Sequence, residues 1–109
     1  MAEKTVVEAI KFLEKCLKEK GLNISKMILF GSQAKGESTA ESDIDVLIIS
    51  NDFRDKDIFE RAALTKYAEI MTIKKFMIPL DIITMTPEEL ESETSLIADF
   101  VKEGEVIYG

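Results

Sequence analysis

The sequence is notable first for what it lacks. Its 109 residues contain no histidine and no tryptophan, and a single cysteine, Cys16. The missing histidine removes histidine general bases and the usual zinc sites. One cysteine excludes an internal disulfide and suits a reducing cytoplasm, and we interpret Cys16 as a packing residue without a redox role. No stretch reaches the roughly 18 apolar residues of a membrane span, and residues 1–20 do not resemble a signal peptide. These absences predict a cytoplasmic protein.

Positive charge is also scarce. The chain has 14 Lys and Arg residues against 21 Asp and Glu residues, which gives a net charge of -7. Broad binding to a nucleic-acid backbone needs clustered cations that release counterions, so direct nucleic-acid binding is not expected. The length predicts a single domain over residues 1–109, without room for a second domain that would hold an acceptor.

Strand and helix patterns alternate along the chain, which predicts an α/β protein with helices packed on a small mixed β-sheet. Periodicity predicts that the long central helix turns Phe59, Ala63, Tyr67 and Ile70 toward the core. Its start is indicated by Asp57 and Glu60, which form a capping-box pattern, and Thr86 with Glu89 forms a second one. In the N-terminal helix an apolar stripe follows one face, Glu14 is spaced to pair with Lys18, and Gly21 marks the stop. The predicted helices cover residues 3–20, 32–36, 57–73 and 86–101, the last with a break near Ser92. The predicted strands cover residues 26–30, 43–50 and 80–85, and residues 106–108 form either an edge strand or coil.

One segment carries the chemical signal. An apolar run, Met27-Ile28-Leu29-Phe30, leads into Gly31 and Ser32, so a buried strand ends where backbone N–H groups and a hydroxyl become available to an anion. Asp43 and Asp45 then stand two residues apart at the next predicted strand, and Ile44 between them turns inward. Because side chains alternate along a strand, both carboxylates leave the same face, about 7 Å apart at the backbone. That separation allows them to share one hard cation.

The string from Gly31 to Asp45, GSQAKGESTAESDID, resembles the signature of the DNA polymerase beta nucleotidyltransferase superfamily: Gly-Ser, ten residues, then Asp-x-Asp. Its short length resembles the minimal nucleotidyltransferase (MNT) branch, whose members are often paired with HEPN proteins in prokaryotic toxin–antitoxin operons. Lys35 stands where members of that branch usually carry arginine. Lysine keeps the positive charge and loses the bidentate fork of arginine.

The resemblance implies a third aspartate on a neighbouring strand, and Asp81 is the acidic residue within the third predicted strand. It implies that Asp43, Asp45 and Asp81 hold Mg²⁺ or Mn²⁺ and that Asp81 accepts the proton of an attacking hydroxyl. Gly31, Ser32 and Lys35 would bind the phosphates of ATP. The implied reaction is transfer of AMP to a tyrosine or similar hydroxyl of a HEPN ribonuclease toxin, with this chain as the antitoxin.

Each of these residues also has an ordinary structural interpretation. Ser32 alone is typical of a helix N-cap, and Lys35 alone of a solvated lysine. Asp43 and Asp45 alone suit the solvated end of a strand, and Asp81 can be satisfied by a backbone N–H or a lysine. Two other functions also stay open: a binding subunit that neutralises a HEPN partner by contact alone, and a small-molecule nucleotidyltransferase that works with a separate helical subunit.

Overall fold

Four strands form a mixed sheet in the order β3-β2-β1-β4. The computed structural model describes residues 4–31, 43–92 and 104–108, the last four of these as backbone only. Strand β1 runs antiparallel to both β2 and β4, whereas β2 and β3 are parallel. The elements in chain order are α1 (Lys4–Glu19), β1 (Lys26–Phe30), β2 (Ile44–Ile49), a 3₁₀ turn (Asn51–Phe53), α2 (Ile58–Phe76), β3 (Leu80–Met85), α3 (Pro87–Ser92) and β4 (Glu105–Tyr108). The predicted small mixed sheet with packed helices is confirmed.

Helix α1 follows its sequence pattern closely. Its apolar stripe is buried, and Glu14 pairs with Lys18 at 2.7 Å as the i,i+4 spacing predicts. The helix ends at Gly21, whose φ of 88° lies in the left-handed region and whose N–H donates to the carbonyl of Lys18. Glycine adopts that conformation at little cost, so the stop is local in origin.

The two faces of the sheet bury different residues. On one face α1 and α2 cover the alternate residues Ile44, Val46 and Ile48 of β2. The intervening residues Leu47 and Ile49 point to the opposite face, where they join a smaller cluster. That cluster also contains Ile28, Phe30, Ile83, Met85 and Leu90. Strand alternation therefore places odd-numbered side chains of β2 and β3 on the second face.

The core face predicted for α2 is wrong, although its capping box is present. Phe59 is 81% exposed, Tyr67 45% and Ile70 42%, and Ala63 is exposed as well. The helix instead buries its small residues Thr65, Ala68 and Thr72. Small side chains allow α2 to approach the core closely. The hydroxyls of Thr65 and Thr72 donate hydrogen bonds to carbonyls one turn earlier in the helix. Apolar residues lie on several sides of α2, so periodicity alone selected the wrong side.

The C-terminal elements match their signals where the structure describes them. Strand β3 has the predicted bounds, and Thr86 and Glu89 form the expected reciprocal cap of α3, with N–H···O distances of 2.8 and 3.1 Å. Strand β4 pairs with β1, so the strand alternative for residues 106–108 is the correct one. The predicted helix at 32–36 and the continuation of α3 toward residue 101 lie outside the described residues. None of the described helices is long and apolar enough to cross a membrane.

Candidate active site

The site begins at Gly31, the residue that follows β1. Gly31 has a φ of 76°, and Phe30 beside it pairs with Asp45 across the antiparallel ladder. A Cβ placed on Gly31 would overlap the Asp45 carboxylate, at a separation well under the 3.0 Å limit for real Cβ contacts. Gly31 is therefore required twice, for its left-handed backbone and for the room it leaves beside Asp45.

Asp45 and Asp81 are brought together by strand register. They are direct partners in the parallel pairing of β2 with β3, and both are odd-numbered residues on the second face of the sheet. Adjacent strands lie about 4.8 Å apart, so two carboxylates leave one face side by side. The sequence places each residue on its strand, and the tertiary pairing makes them neighbours.

The electrostatics at Asp45 reflect this neighbourhood. Burial raises the pKa of Asp45 above its usual 3.8, and the charges of Asp81 and then Asp43 raise it further. Like charges within a few ångströms disfavour ionisation unless a cation compensates them. Asp43, Asp45 and Asp81 thus concentrate negative charge near the start of β2 and β3.

Asp43 lies just outside the strand that was predicted to contain it. β2 begins at Ile44, and Asp43 is exposed immediately before it, while Ile44 is fully buried as expected. Within the described residues, no three acidic or cysteine side chains lie close enough together to surround one ion. The oxygen donors of the pair Asp45 and Asp81 still have the chemistry that Mg²⁺ or Mn²⁺ requires, and the Asp45 carboxylate is only half-buried.

The remaining predicted residues divide into two groups. Ser32 and Lys35 lie outside the described residues, so their phosphate contacts stay predictions. Asp81 lies on the predicted strand, but its side chain is exposed. The apolar neighbours of Asp81 in the sequence predict a buried carboxylate that needs a partner. That prediction is wrong, because β3 is an outer strand of the described sheet.

Sequence reasoning missed a group of residues near the C-terminal end of β3. Arg61 of α2 forms a bidentate ion pair with Glu89, with N···O distances of 2.7 and 3.3 Å, and also donates to the carbonyl of Thr84 at 3.5 Å. Glu89 was recognised only as a capping residue. No local signal identifies the contacts of Arg61 with Thr84 and Glu89, because these two residues lie 23 and 28 positions away in sequence.

Carboxylates on neighbouring strands of a small mixed sheet are the arrangement that the resemblance to nucleotidyltransferases implies. The sequence profile described as "Nucleotidyltransferase domain" matches residues 10–107. Since this match spans nearly the whole chain, the protein belongs to the nucleotidyltransferase domain family. A relative in Methanocaldococcus jannaschii, provisionally named a protein adenylyltransferase, is 29% identical over 100 residues, which cover 90% of this chain and 67% of the relative.

Solved structures agree with the fold. A crystal structure of a toxin–antitoxin complex with AMP-PNP matches with a TM-score of 0.65 and 20% identity, over 94% of this chain and 73% of that one. A complex of tri-AMPylated Shewanella oneidensis HEPN toxin with its MNT antitoxin matches with a TM-score of 0.54 and 17% identity, over 93% of this chain and 72% of that one. At such identities the likeness establishes the fold alone.

Proposed function

We propose that this protein is a Mg²⁺-dependent adenylyltransferase that transfers AMP from ATP to a hydroxyl, such as that of a tyrosine, on a HEPN toxin in the cytoplasm, and so acts as its antitoxin. The observation that carries the proposal is the register pairing of Asp45 with Asp81 beside the Gly31 turn. A purely structural sheet has no need for two carboxylates side by side with a glycine that leaves room for one of them.

The three aspartates would have two roles, metal binding and proton acceptance. Asp43 and Asp45 would hold two Mg²⁺ or Mn²⁺ ions, and Asp81 would share the second one; the ions when bound neutralise the charge that develops on the phosphates. Asp81 would accept the proton of the attacking hydroxyl, a role that suits its exposed position at the outer strand. The hydroxyl oxygen bonds to the α-phosphorus, the bond from that phosphorus to the oxygen bridging to the β-phosphate breaks, and pyrophosphate leaves.

The nucleotide would be oriented by the turn after β1. Backbone N–H groups following Gly31 and the hydroxyl of Ser32 would donate hydrogen bonds to the terminal phosphates, and Lys35 would add positive charge. The left-handed conformation of Gly31 at the end of β1 supports this role.

The acceptor would arrive on a separate protein. Similarity to an adenylyltransferase and to MNT antitoxins found with HEPN toxins supports a HEPN-domain protein as that acceptor. The net charge of -7 favours a partner with a basic surface, as a ribonuclease has.

The test compares Asp81→Asn with Asp55→Asn. Both remove one exposed carboxylate, and Asp55 is an acidic residue outside the site, in a left-handed conformation that asparagine tolerates. AMP addition to the HEPN protein of the neighbouring gene is followed by intact mass, and ATP affinity by calorimetry. We expect Asp81→Asn to bind ATP and lose about 10²- to 10⁴-fold in transfer rate, the cost of losing a general base. Asp55→Asn should match wild type, and equal modification by Asp81→Asn would refute the role of Asp81.

A contact-only antitoxin is the second candidate. It is favoured by the absence of a three-ligand acidic cluster in the described part of the chain. In that case wild type forms a stable complex with the HEPN protein and suppresses its ribonuclease activity, but no AMP is added at any ATP concentration. The same mass measurement therefore separates the two functions.

A further inference from the structure

The outer edge of β3 offers unpaired backbone groups beside the candidate active site. In the parallel ladder the carbonyls of Pro79 and Met85 accept from Ile44 and Ser50 respectively. Successive residues of a strand direct their N–H and C=O groups alternately to one side and to the other. The odd-numbered residues of β3 therefore bond to β2, and Leu80, Ile82 and Thr84 direct their N–H and C=O groups outward. Among the described strands, none pairs with this edge. Such an edge is a template for another strand.

A groove runs along this edge between β3 and α2. Two adjoining hollows, of about 410 and 220 Å³, share Ile58, Ile82 and Thr84 in their walls. Ala62 and Thr65 of α2 form the opposite wall of the smaller hollow. Ile58 is 74% exposed, so the groove presents apolar surface next to the outward-facing N–H and C=O groups of Ile82. That combination is what strand-addition sites in recognition domains present.

The two ends of the groove differ. Asp81 is among the lining residues at one end, and its side chain leaves the face of the sheet away from α2. Because side chains alternate along a strand, a segment added to this edge would set one side chain against the groove and the next on the face of Asp81. At the other end Arg61, held by Glu89, donates to the carbonyl of Thr84 and so occupies that acceptor. The three residue steps from Asp81 to Thr84 span about 10 Å, which accommodates about four residues of an added strand.

We propose that this groove binds the acceptor: an extended segment of the protein substrate adds to the outer edge of β3 and so presents its hydroxyl side chain to Asp81. The inference rests on the proposed function and specifies how its substrate is recognised. The segment takes backbone hydrogen bonds from Ile82 and places an apolar or small side chain against Ile58 and Ala62. A second copy of this chain is disfavoured as occupant, because each copy carries a net charge of -7 and an exposed Asp81 on that edge.

Two alanines of α2 provide a matched pair of variants. Ala62 lines the groove, whereas its exposed neighbour Ala63 is not among the lining residues. Ala62→Arg fills the groove, and Ala63→Arg adds the same charge and bulk outside it. We expect Ala62→Arg to lower kcat/KM for the HEPN acceptor at least tenfold, mainly through KM, while the thermal shift with Mn²⁺ and ATP is unchanged. Ala63→Arg should behave as wild type in both measurements.

Amide hydrogen exchange by NMR reports on the edge directly and does not depend on catalysis. On addition of the HEPN protein, the amides of Ile82 and Thr84 should slow at least tenfold, and that of Ile83, which already bonds to β2, should not change. Transfer without this protection, or equal loss in both arginine variants, overturns the groove and leaves the adenylyltransferase standing. Protection that Ala62→Arg abolishes, without any transfer, supports the groove and refutes the enzyme.

Two results remain, and both are decisive. If neither transfer nor protection is observed, both proposals are refuted. A dimer of the free protein in which Ile82 and Thr84 are already protected assigns the edge to a second copy and overturns the acceptor site.

Discussion

At the scale of single residues, the charged Asp45 carboxylate lowers the stability of the fold and serves the proposed metal site. Its carboxylate is half-buried next to Asp81 and near Asp43, and burial followed by these two charges raises its pKa. A carboxylate whose pKa is higher in the folded state costs stability when it ionises. The folded protein retains that cost because the same charge would hold a cation.

The first prediction follows from this sign. Stability linked to Asp45 is complete below the unfolded pKa, near 3.8, and falls as the pH rises through the higher folded pKa. Asp45→Asn should therefore raise the melting temperature at pH 7 in EDTA by about 1–3 °C, a small gain because solvent screens the site. The gain should vanish toward pH 3. A lower melting temperature for Asp45→Asn at pH 7 would show that the carboxylate makes a net stabilising contact.

The second prediction compares two glycines with positive φ, at 76° for Gly31 and 88° for Gly21. A Cβ at Gly21 meets nothing within 4 Å, whereas one at Gly31 collides with Asp45. Gly21→Ala should cost about 1 kcal/mol in the free energy of unfolding and leave ATP binding intact. Gly31→Ala should cost more and also abolish ATP binding, because Asp45 must move. Urea unfolding and calorimetry measure both, and equal effects of the two variants would contradict the assigned role of Gly31.

At the scale of elements, α2 shows how an amphipathic pattern can mislead. Its caps are local: Asp57 and Glu60 bond reciprocally at 2.8 and 3.1 Å, and the helix ends where Met77 takes a left-handed conformation. The choice of buried face is not local, and it goes to small residues that fit against the sheet and α1. Several large apolar residues of α2, among them Phe59 and Tyr67, are exposed, while Met71 and Phe76 are partly buried against the core.

The third prediction uses two phenylalanines near the start of α2. Phe53 is fully buried and Phe59 is 81% exposed. Phe53→Ala should lower the free energy of unfolding by about 3–5 kcal/mol, because it leaves a cavity in the core. Phe59→Ala should change it by less than about 0.5 kcal/mol. Chemical denaturation of both variants checks this, and a large loss for Phe59→Ala would mean that the ring is covered.

At the scale of the whole molecule, the pairing of Asp45 with Asp81 couples folding to ligand binding. Carboxylates contributed by two strands come together only in the folded state, so a ligand that bridges them binds the native form alone. Such a ligand stabilises the fold by mass action.

The fourth prediction is a thermal shift. Mg²⁺ or Mn²⁺ with ATP at about 100 times Kd should stabilise the protein by about 2.7 kcal/mol, a rise in melting temperature of about 10 °C or more. Asp43→Asn should abolish the gain, and the control Asp55→Asn should keep it. An undiminished shift in Asp43→Asn would place the nucleotide elsewhere.

Local patterns in the sequence determined the strand and helix positions, the two capping boxes, the Gly21 stop and the spacing from Gly31 to Asp45. The caps, the stop and the strand and helix patterns depend on residues within about four positions of one another or on strand alternation, which are physical effects that act along the chain. The spacing from Gly31 to Asp45 is recognised as a motif. The tertiary structure alone decided the buried face of α2, the exposure of Asp81 and the contact of Arg61 with Glu89. It also decided the register that sets Asp45 beside Asp81 and leaves the edge of β3 open, because strand pairing joins residues 36 positions apart that no local pattern relates.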